Sequence, residues 1–531
     1  MVTKNDSTLL ELMEIGLIRK KILRKIISFH DICNLAKTCS QMNFIIQHEK
    51  IKRSFMCYED KQIVEIKINE NFQSDLGIPE LEDIEFEKYN NSFQRINDLK
   101  LFHGEAICLK SCIIFYIHDV VEDFDKKERL LFVKRLVEEL NFNSEIRKST
   151  KILNFNIDSF DNHDIILHSL CYINHSNIRR IEVPDTIFTG DKSKYDKLKC
   201  NIFENLPKFH ELVIYATPSV DTCRRLVENK SIIEKVLKEL SKKKNATLIL
   251  GNLYHYYNKI ISFADIFIEI TRKYKIRIKC SVNFNCNRLF NRSCRNCSNE
   301  VCIFYPIKEL VTSLKFESEN FDKLFNVMKN WQYFTNLELL ELSVSNIDIN
   351  KCFEKVNVSN CSLLLKECTK LRKIKLNLNI SYNESDESKI QTVHNNLEFL
   401  IQLMPNTIQT LELINIADLT NNLSNLINKY MQNIKILIMD HVSFKDSDCL
   451  ISFKNLECFI LNENCIVQIP KNIKLFGIGH RNSKINNNSE IINIYTKKYS
   501  KCLKSMNDQY IFFNEIKYWD MYKNLIHDIL I

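Results

Sequence analysis

Residues that break or bend a chain are scarce here. Gly and Pro number seven each in 531 residues. Neither GxGxxG nor GxxxxGK[ST] occurs, and "FGIGHRN" around Gly477 and Gly479, the nearest stretch, matches neither. Nucleotide binding through a Gly-rich backbone cradle is therefore unsupported. Long hydrophobic runs are missing too. The best, "CIIFYIHDVV" from Cys112 to Val121, is about half of the roughly 20 residues a membrane helix needs, and it contains His and Asp. No membrane partner is expected. "MVTKNDSTLLELMEIGL" has no apolar core behind a basic start, so no secretory signal is read there. Nor does one sign of charge dominate: 74 Lys+Arg against 66 Asp+Glu leave +8. So weak a field does not mark a nucleic-acid binder. The basic runs, Lys242 to Lys244 and Arg19, Lys20, Lys21, Arg24 and Lys25, read as solvated helix faces.

Motifs for catalysis are lacking as well. HExxH, GxSxG, HxE…PCxxC and the kinase HRD/DFG set do not occur. A Cys–His pair could still meet in space, but with 20 Cys some candidate pair is nearly guaranteed. The expectation is a protein that is not an enzyme and needs no cofactor. Twenty Cys without a signal peptide point to reduced thiols in the cytoplasm and/or nucleus. Five of them crowd "CSVNFNCNRLFNRSCRNCSNEVC". Cys294 and Cys297 have knuckle spacing, and Cys286 and Cys302 could complete a thiolate zinc site. Against that, Ile276, Ile278, Cys280, Val282 and Phe284 alternate as in a strand with Cys280 on its buried face. We expect a loop with incidental thiols and no metal; metal content of the purified protein decides between the two.

What the chain does have is a recurring strand pattern. Apolar residues make up 45%, ample for a core, and the length exceeds the roughly 100–200 residues of one ordinary domain. "LRKIKLNLN" places Leu371, Ile374, Leu376 and Asn379 at L-x-x-L-x-L-x-x-N spacing. "LECFILNEN" repeats it at Leu456, Phe459, Leu461 and Asn464. Looser copies carry Ile178, Ile181 and Val183; Phe209, Leu212 and Ile214; Val311, Leu314 and Phe316; Leu337, Leu340 and Leu342. Others carry Ile408, Leu411 and Leu413; Ile434, Leu437 and Met439; Ile473, Phe476 and Ile478. Between strands the rhythm turns helical, as at Phe321, Leu324, Met328 and Trp331.

This pattern is similar to the leucine-rich-repeat signature. The expected fold class is α/β: a leucine-rich-repeat solenoid with parallel strands on a concave face and helices on the convex face. One unit cannot bury its own apolar side, so units must stack. Residues alternating with the core positions would line the concave face and hold a protein substrate: Lys373, Lys375, Asn377, Thr410, Glu412, Ile436, Ile438, Asp440, Cys458, Ile460 and Asn462. Their chemistry is mixed, so no substrate is named. The last residues, "YIFFNEIKYWDMYKNLIHDILI", read as a capping helix.

At the other end, Ile18, Ile22, Leu23, Ile26 and Ile27 form one apolar stripe, Ile32, Leu35, Ala36 and Cys39 a second, and Met42, Ile45 and Ile46 a third. Three such short faces bury little surface by themselves. They could cap the solenoid or wait for a partner. The stretch from Leu12 to Lys50 resembles an F-box, with "MEIG" at Met13–Gly16 where that family has a Leu-Pro start. An F-box joined to leucine-rich repeats implies a substrate receptor of a cullin-type ubiquitin ligase, whose F-box docks a Skp-type adaptor. By that resemblance Leu17, Ile18, Ile22, Leu23, Ile26, Ile32 and Leu35 would face the adaptor. The expected organisation is a flexible start over 1–11, an F-box-like three-helix module over 12–55, a solenoid over 56–482, and a polar segment with a capping helix over 483–531.

Overall fold

The structure is a computed structural model. It describes chiefly residues 9–25, 38–47, 57–68, 84–95, 107–117, 150–157, 164–196, 201–217, 220–254, 259–285, 307–345, 365–378, 387–462, 467–479 and 498–522, a few positions inside these spans excepted. Asn379, Asn464 and the cysteines 286, 294, 297 and 302 lie outside the described residues.

Three helices come first: α1 (Leu9–Glu14), α2 (Gly16–Lys25) and α3 (Ser40–Gln47). Then come β1 (Cys57–Ile68), β2 (Ile84–Asn90), β3 (Phe93–Arg95), β4 (Ile107–Ile117) and β5 (Ile152–Ile157). Helix and strand alternate after that, through α4 (Asp164–Leu170), β6 (Arg180–Pro184), α5 (Lys192–Tyr195), β7 (Glu211–Tyr215), α6 (Val220–Glu228), α7 (Lys230–Ser241), β8 (Thr247–Tyr254) and α8 (Lys259–Tyr274). The middle of the chain adds β9 (Arg277–Asn285), β10 (Val311–Ser318), α9 (Phe321–Met328), β11 (Leu339–Val344), β12 (Lys373–Leu378) and α10 (Glu387–Gln402). The chain continues with β13 (Thr410–Leu419), α11 (Asn421–Tyr430), β14 (Ile436–Phe444), β15 (Cys458–Leu461), β16 (Leu475–Ile478), β17 (Lys501–Ser505) and β18 (Tyr510–Phe513).

Fourteen strands pair in parallel, in the order β1, β4, then β5 to β16 in sequence. Each new unit adds its strand beside the previous one, the order of a solenoid. β2 lies antiparallel to β1 at one end. At the other, β18 lies antiparallel to β16 and to β17, and β17 to β3. The sheet is mixed α/β, mostly parallel, and not closed.

In-register pairing lines the core residues into rows. Leu314, Leu340, Ile374, Leu411, Leu437, Phe459 and Phe476 are successive partners, and Phe316, Leu342, Leu376, Leu413, Met439, Leu461 and Ile478 form the next row. All are buried in one continuous core. A side chain here is covered by residues of the units on either side, at the roughly 4.8 Å strand spacing. Helices close the outer side, and Thr420 caps α11 by accepting the backbone N–H of Leu423 at 3.2 Å. Towards the end the outer layer thins. A one-turn 3₁₀ stretch, Cys449–Ser452, replaces a helix between β14 and β15, and no helix stands between β15 and β16 among the described residues. Stacked rings reinforce that end: Phe459 on Phe476 at 5.6 Å and Phe476 on Phe512 at 6.0 Å.

Two local expectations differ. Trp331 does not continue the α9 stripe; the helix ends at Met328 and Trp331–Tyr333 form a 3₁₀ turn. The ring still reaches the core, meeting Phe316 edge-on at 5.5 Å. The stretch expected as a capping helix opens instead with a strand, β18, and helical residues come only from Tyr518 on, because "YIFF" can extend the sheet from β16. Replacing Phe476 by Ala removes the middle ring of a three-ring stack. We expect a loss of about 3–5 kcal/mol, read as a lower urea midpoint at unchanged far-UV circular dichroism of the folded protein.

Candidate functional site

The second face of the sheet, opposite the core, changes character along its length. In the first third it holds a polar cluster that sequence reading passed over. Glu182 is buried, accepts Asn154 Nδ2 at 2.8 Å and Tyr215 Oη at 2.6 Å, and pairs with Arg180 Nε at 2.6 Å. Burial, followed by the Glu182 charge, pushes the Tyr215 phenol well above its usual range. Gly251 makes this possible: a Cβ there would stand 2.6 Å from Tyr215 Cδ1. The signal was available, since Arg180 and Glu182 alternate with the core residues Ile181 and Val183.

The middle third is a charged lattice. Lys315, Glu341, Lys375 and Glu412 are consecutive cross-strand partners. Glu412 accepts from Lys375 at 2.7 Å and lies 3.8 Å from Lys373. Lys315 pairs with Glu317 at 3.0 Å, and Lys279 with Glu338 at 3.4 Å. Asn377 accepts Asn415 Nδ2 at 2.9 Å, a contact favoured by the left-handed turn at Asn415 (φ 57°). Neighbouring charges thus largely neutralise one another, and the lattice presents no field of one sign.

In the last third the face is apolar and covered. Ile438, Cys458, Ile460 and Leu475 are buried yet stand outside the main core. Their strand partners β16 and β18 add Ile511 and Phe513 in the same rows. Trp519, fully buried, stacks on Phe513 at 5.8 Å. Tyr522 Oη donates to Glu457 Oε2 at 2.6 Å, and Lys474 Nζ lies 5.2 Å from the Tyr518 ring centroid. Burial acts upward on the Glu457 carboxyl, but hydrogen bonds from Lys474 and Tyr522 outweigh it and hold it below the usual range.

The eleven residues expected to line a solvated face therefore divide. Lys373, Lys375, Asn377 and Ile436 are half-buried. Thr410, Glu412, Asp440 and Asn462 are buried among their neighbours, and Ile438, Cys458 and Ile460 are buried at the apolar end. Closely spaced strands shield short side chains, and the segment after β18 sets Trp519 on Phe513 and Tyr522 at Glu457 beside the apolar rows. Burial pushes the Cys280 and Cys368 thiols up to about 12 and Cys449 to about 11, so these thiols are poor nucleophiles. No cluster of three metal-ligating side chains occurs among the described residues.

A sequence-family profile described as "Domain of unknown function (DUF8346)" matches residues 83–526. The chain belongs to the DUF8346 family. That match takes in the sheet from β2 onward and leaves α1, α2, α3 and β1 of this DUF8346 protein outside it. No curated protein matches the sequence. Among solved structures, an internalin (InlF) from Listeria monocytogenes str. 4b F2365 is 10% identical, with 66% of this chain and 74% of that chain covered at a TM-score of 0.20.

One buried acid outside these thirds titrates usefully. Asp185, at the end of β6, is buried, and its Oδ2 accepts the Thr217 backbone N–H at 2.9 Å. Burial raises its pKa from 3.8 to about 6, against the lowering effect of that hydrogen bond. The folded state then keeps a proton that the unfolded state releases between pH 4 and 6. Stability should fall as pH rises through that window, by about 3 kcal/mol at most. Asp185→Asn should remove this fall, so urea midpoints of the two proteins diverge from pH 4 to pH 6 and stay apart above it.

Proposed function

We propose that this DUF8346 protein is a non-catalytic receptor. Its N-terminal helices dock a Skp-type adaptor of a cullin-scaffolded ubiquitin ligase, and its sheet, read as divergent leucine-rich repeats, presents the second face to a protein substrate. The observation that carries the docking half is the exposure of large apolar side chains in the N-terminal unit. Leu9, Ile15, Leu17 and Phe44 are 49%, 51%, 78% and 70% exposed. Beneath them Met13, Met42, Ile45 and Ile46 form a small buried core, tied by Gln41 Nε2 to Glu14 Oε1 at 2.6 Å. Single exposed apolar residues need no explanation, but a group on one small unit favours a partner surface.

Of the residues assigned to the adaptor by resemblance, Leu17 is the most exposed large apolar residue described. Ile18, Ile22 and Leu35 are half-buried. The Leu23 side chain, Ile26 and Ile32 lie outside the described residues. The repeat half of the reading is supported by the core rows, which occupy the L-x-x-L-x-L positions from Leu337 to Ile478. Support for the substrate half is the charged lattice from β10 to β13, a broad polar surface without one sign of charge.

Full-length protein mixed with a Skp-type adaptor should co-elute with it in size-exclusion chromatography. Leu17→Asp should weaken that association by about 2–3 kcal/mol, roughly 30- to 150-fold, while shifting the melting midpoint by no more than about 2 °C. Failure of the wild type to co-elute sinks the adaptor reading. A large drop in melting midpoint would instead show that Leu17 packs within the fold, as expected if the helices only cap the array.

A further inference from the structure

The apolar end of the second face has an occupant, and that occupant describes what the surface can bind. Along β10 to β13 the middle row of this face is Lys315, Glu341, Lys375 and Glu412; from β14 on the same row becomes Ile438, Ile460 and Gly477. The row before it becomes Ile436, Cys458 and Leu475. Such a change has no use in a solvated face, where each apolar residue costs solubility. It makes a shallow apolar platform. Gly477, having no side chain, leaves a dip between Ile460 and Ile511.

Tyr518, Trp519, Met521 and Tyr522 are helical. Trp519 and Tyr522 are three residues apart and share one face of that turn. Both are buried, while Met521 on another face is 60% exposed. The turn is amphipathic, with its aromatic side down. It belongs to none of the core rows. Its polar ties, Tyr522 to Glu457 and Tyr518 to Lys474, sit at the starts of β15 and β16, and three of the four groups, Tyr518, Glu457 and Lys474, are only half-buried. An element attached through a small separate apolar contact and two edge ties opens at lower cost than the strands beneath it.

We propose that the platform of Ile438, Cys458, Ile460, Leu475 and Phe513 is a binding surface for an amphipathic helical segment bearing two aromatic residues three apart, and that the chain's own Trp519–Tyr522 turn is its resident, displaceable ligand. The surface is then closed in the free protein. A partner segment of the same chemistry enters by exchange, setting its aromatic pair where Trp519 and Tyr522 lie. This does not depend on the adaptor reading, which concerns the other end of the chain.

Cys458 reports on the exchange, because it is close enough to Tyr522 to act on it electrostatically and stands outside the main core, whereas Cys280 and Cys368 lie in that core. Full-length protein is treated with iodoacetamide under native conditions, and each cysteine is followed by peptide mass analysis. In the wild type Cys458 should be modified faster than Cys280 and Cys368. Tyr522→Phe deletes only the hydroxyl tie, and it should raise the Cys458 rate about tenfold, as loss of a hydrogen bond to a charged group predicts. The rates at Cys280 and Cys368 should stay unchanged. Lys474→Met, which removes the other tie, should act in the same direction. A peptide spanning residues 510–531, added to the Tyr522→Phe protein, should restore protection of Cys458, and the same peptide with both aromatic residues replaced by Ala should not. The proposal is overturned if Cys458 reacts no faster than the core thiols in both variants, or if the aromatic peptide fails to protect it.

Discussion

In-register parallel pairing from β5 to β16 is the constraint on which everything else rests. A strand of four to ten residues such as β15 or β13 has too little apolar surface to stand alone. Stacked, each core side chain is roofed by the equivalent residue of the next unit. Register then fixes more than the core, because side chains alternate with period two. Once Leu340, Ile374 and Leu411 are aligned inward, Glu341, Lys375 and Glu412 must align on the other face. The charged lattice is therefore a by-product of core packing that selection could shape one strand at a time. A slip of one residue would bury the Lys and Glu rows and expose the Leu rows, so the lattice also penalises the wrong register.

Much of this was legible. The L-x-x-L-x-L spacing identified the core rows because a stack of parallel strands repeats its physical problem at each strand and therefore repeats its solution. β11 and β12, "LLELSV" and "KIKLNL", alternate buried and half-buried residues as their letters suggest. The helices were less legible. Trp331 keeps helical spacing but belongs to a 3₁₀ turn, since a residue can satisfy an apolar rhythm and still reach the core from a tighter backbone. The polar cluster of Asn154, Glu182 and Tyr215 was missed because it joins three strands about thirty residues apart, with each member unremarkable in its own segment. Only the stacking brings the three together.

The apolar platform was misjudged for a more instructive reason. Alternation tells which face of a strand a residue occupies; it does not tell what lies over that face. Ile438, Cys458 and Ile460 do occupy the second face, yet they are as buried as the core. The strands carried the warning themselves. "ILIM", "CFIL" and "LFGI" are continuous apolar runs, and a strand covered on both sides reads that way, whereas a half-solvated strand alternates. Their burial is accordingly unbroken in β15 and β16. Reading the runs as repeat signatures drew attention to the inward residues and away from the equally apolar outward ones.

The position of this doubly covered region follows from the thinning of the outer layer. Helices α10 and α11 back the middle of the sheet, a single 3₁₀ turn backs β14 to β15, and no described helix stands between β15 and β16. Where strands follow one another with so little between them, the outer side has less surface to offer for burial. The compensating apolar area lies on the opposite face, under Trp519 and Tyr522, and the stack Phe459–Phe476–Phe512 holds the outer side from within the sheet. The two ends of the chain thus handle apolar surface in opposite ways. In the N-terminal helices Leu17 and Phe44 are exposed, while Met13, Met42, Ile45 and Ile46 are buried. At the far end the aromatic residues are turned inward against the sheet and tied at its edge by Glu457 and Lys474. The array thus leaves one apolar surface open and sheathes another with its own chain, so burying the first needs atoms from elsewhere, whereas the second is already buried within the fold.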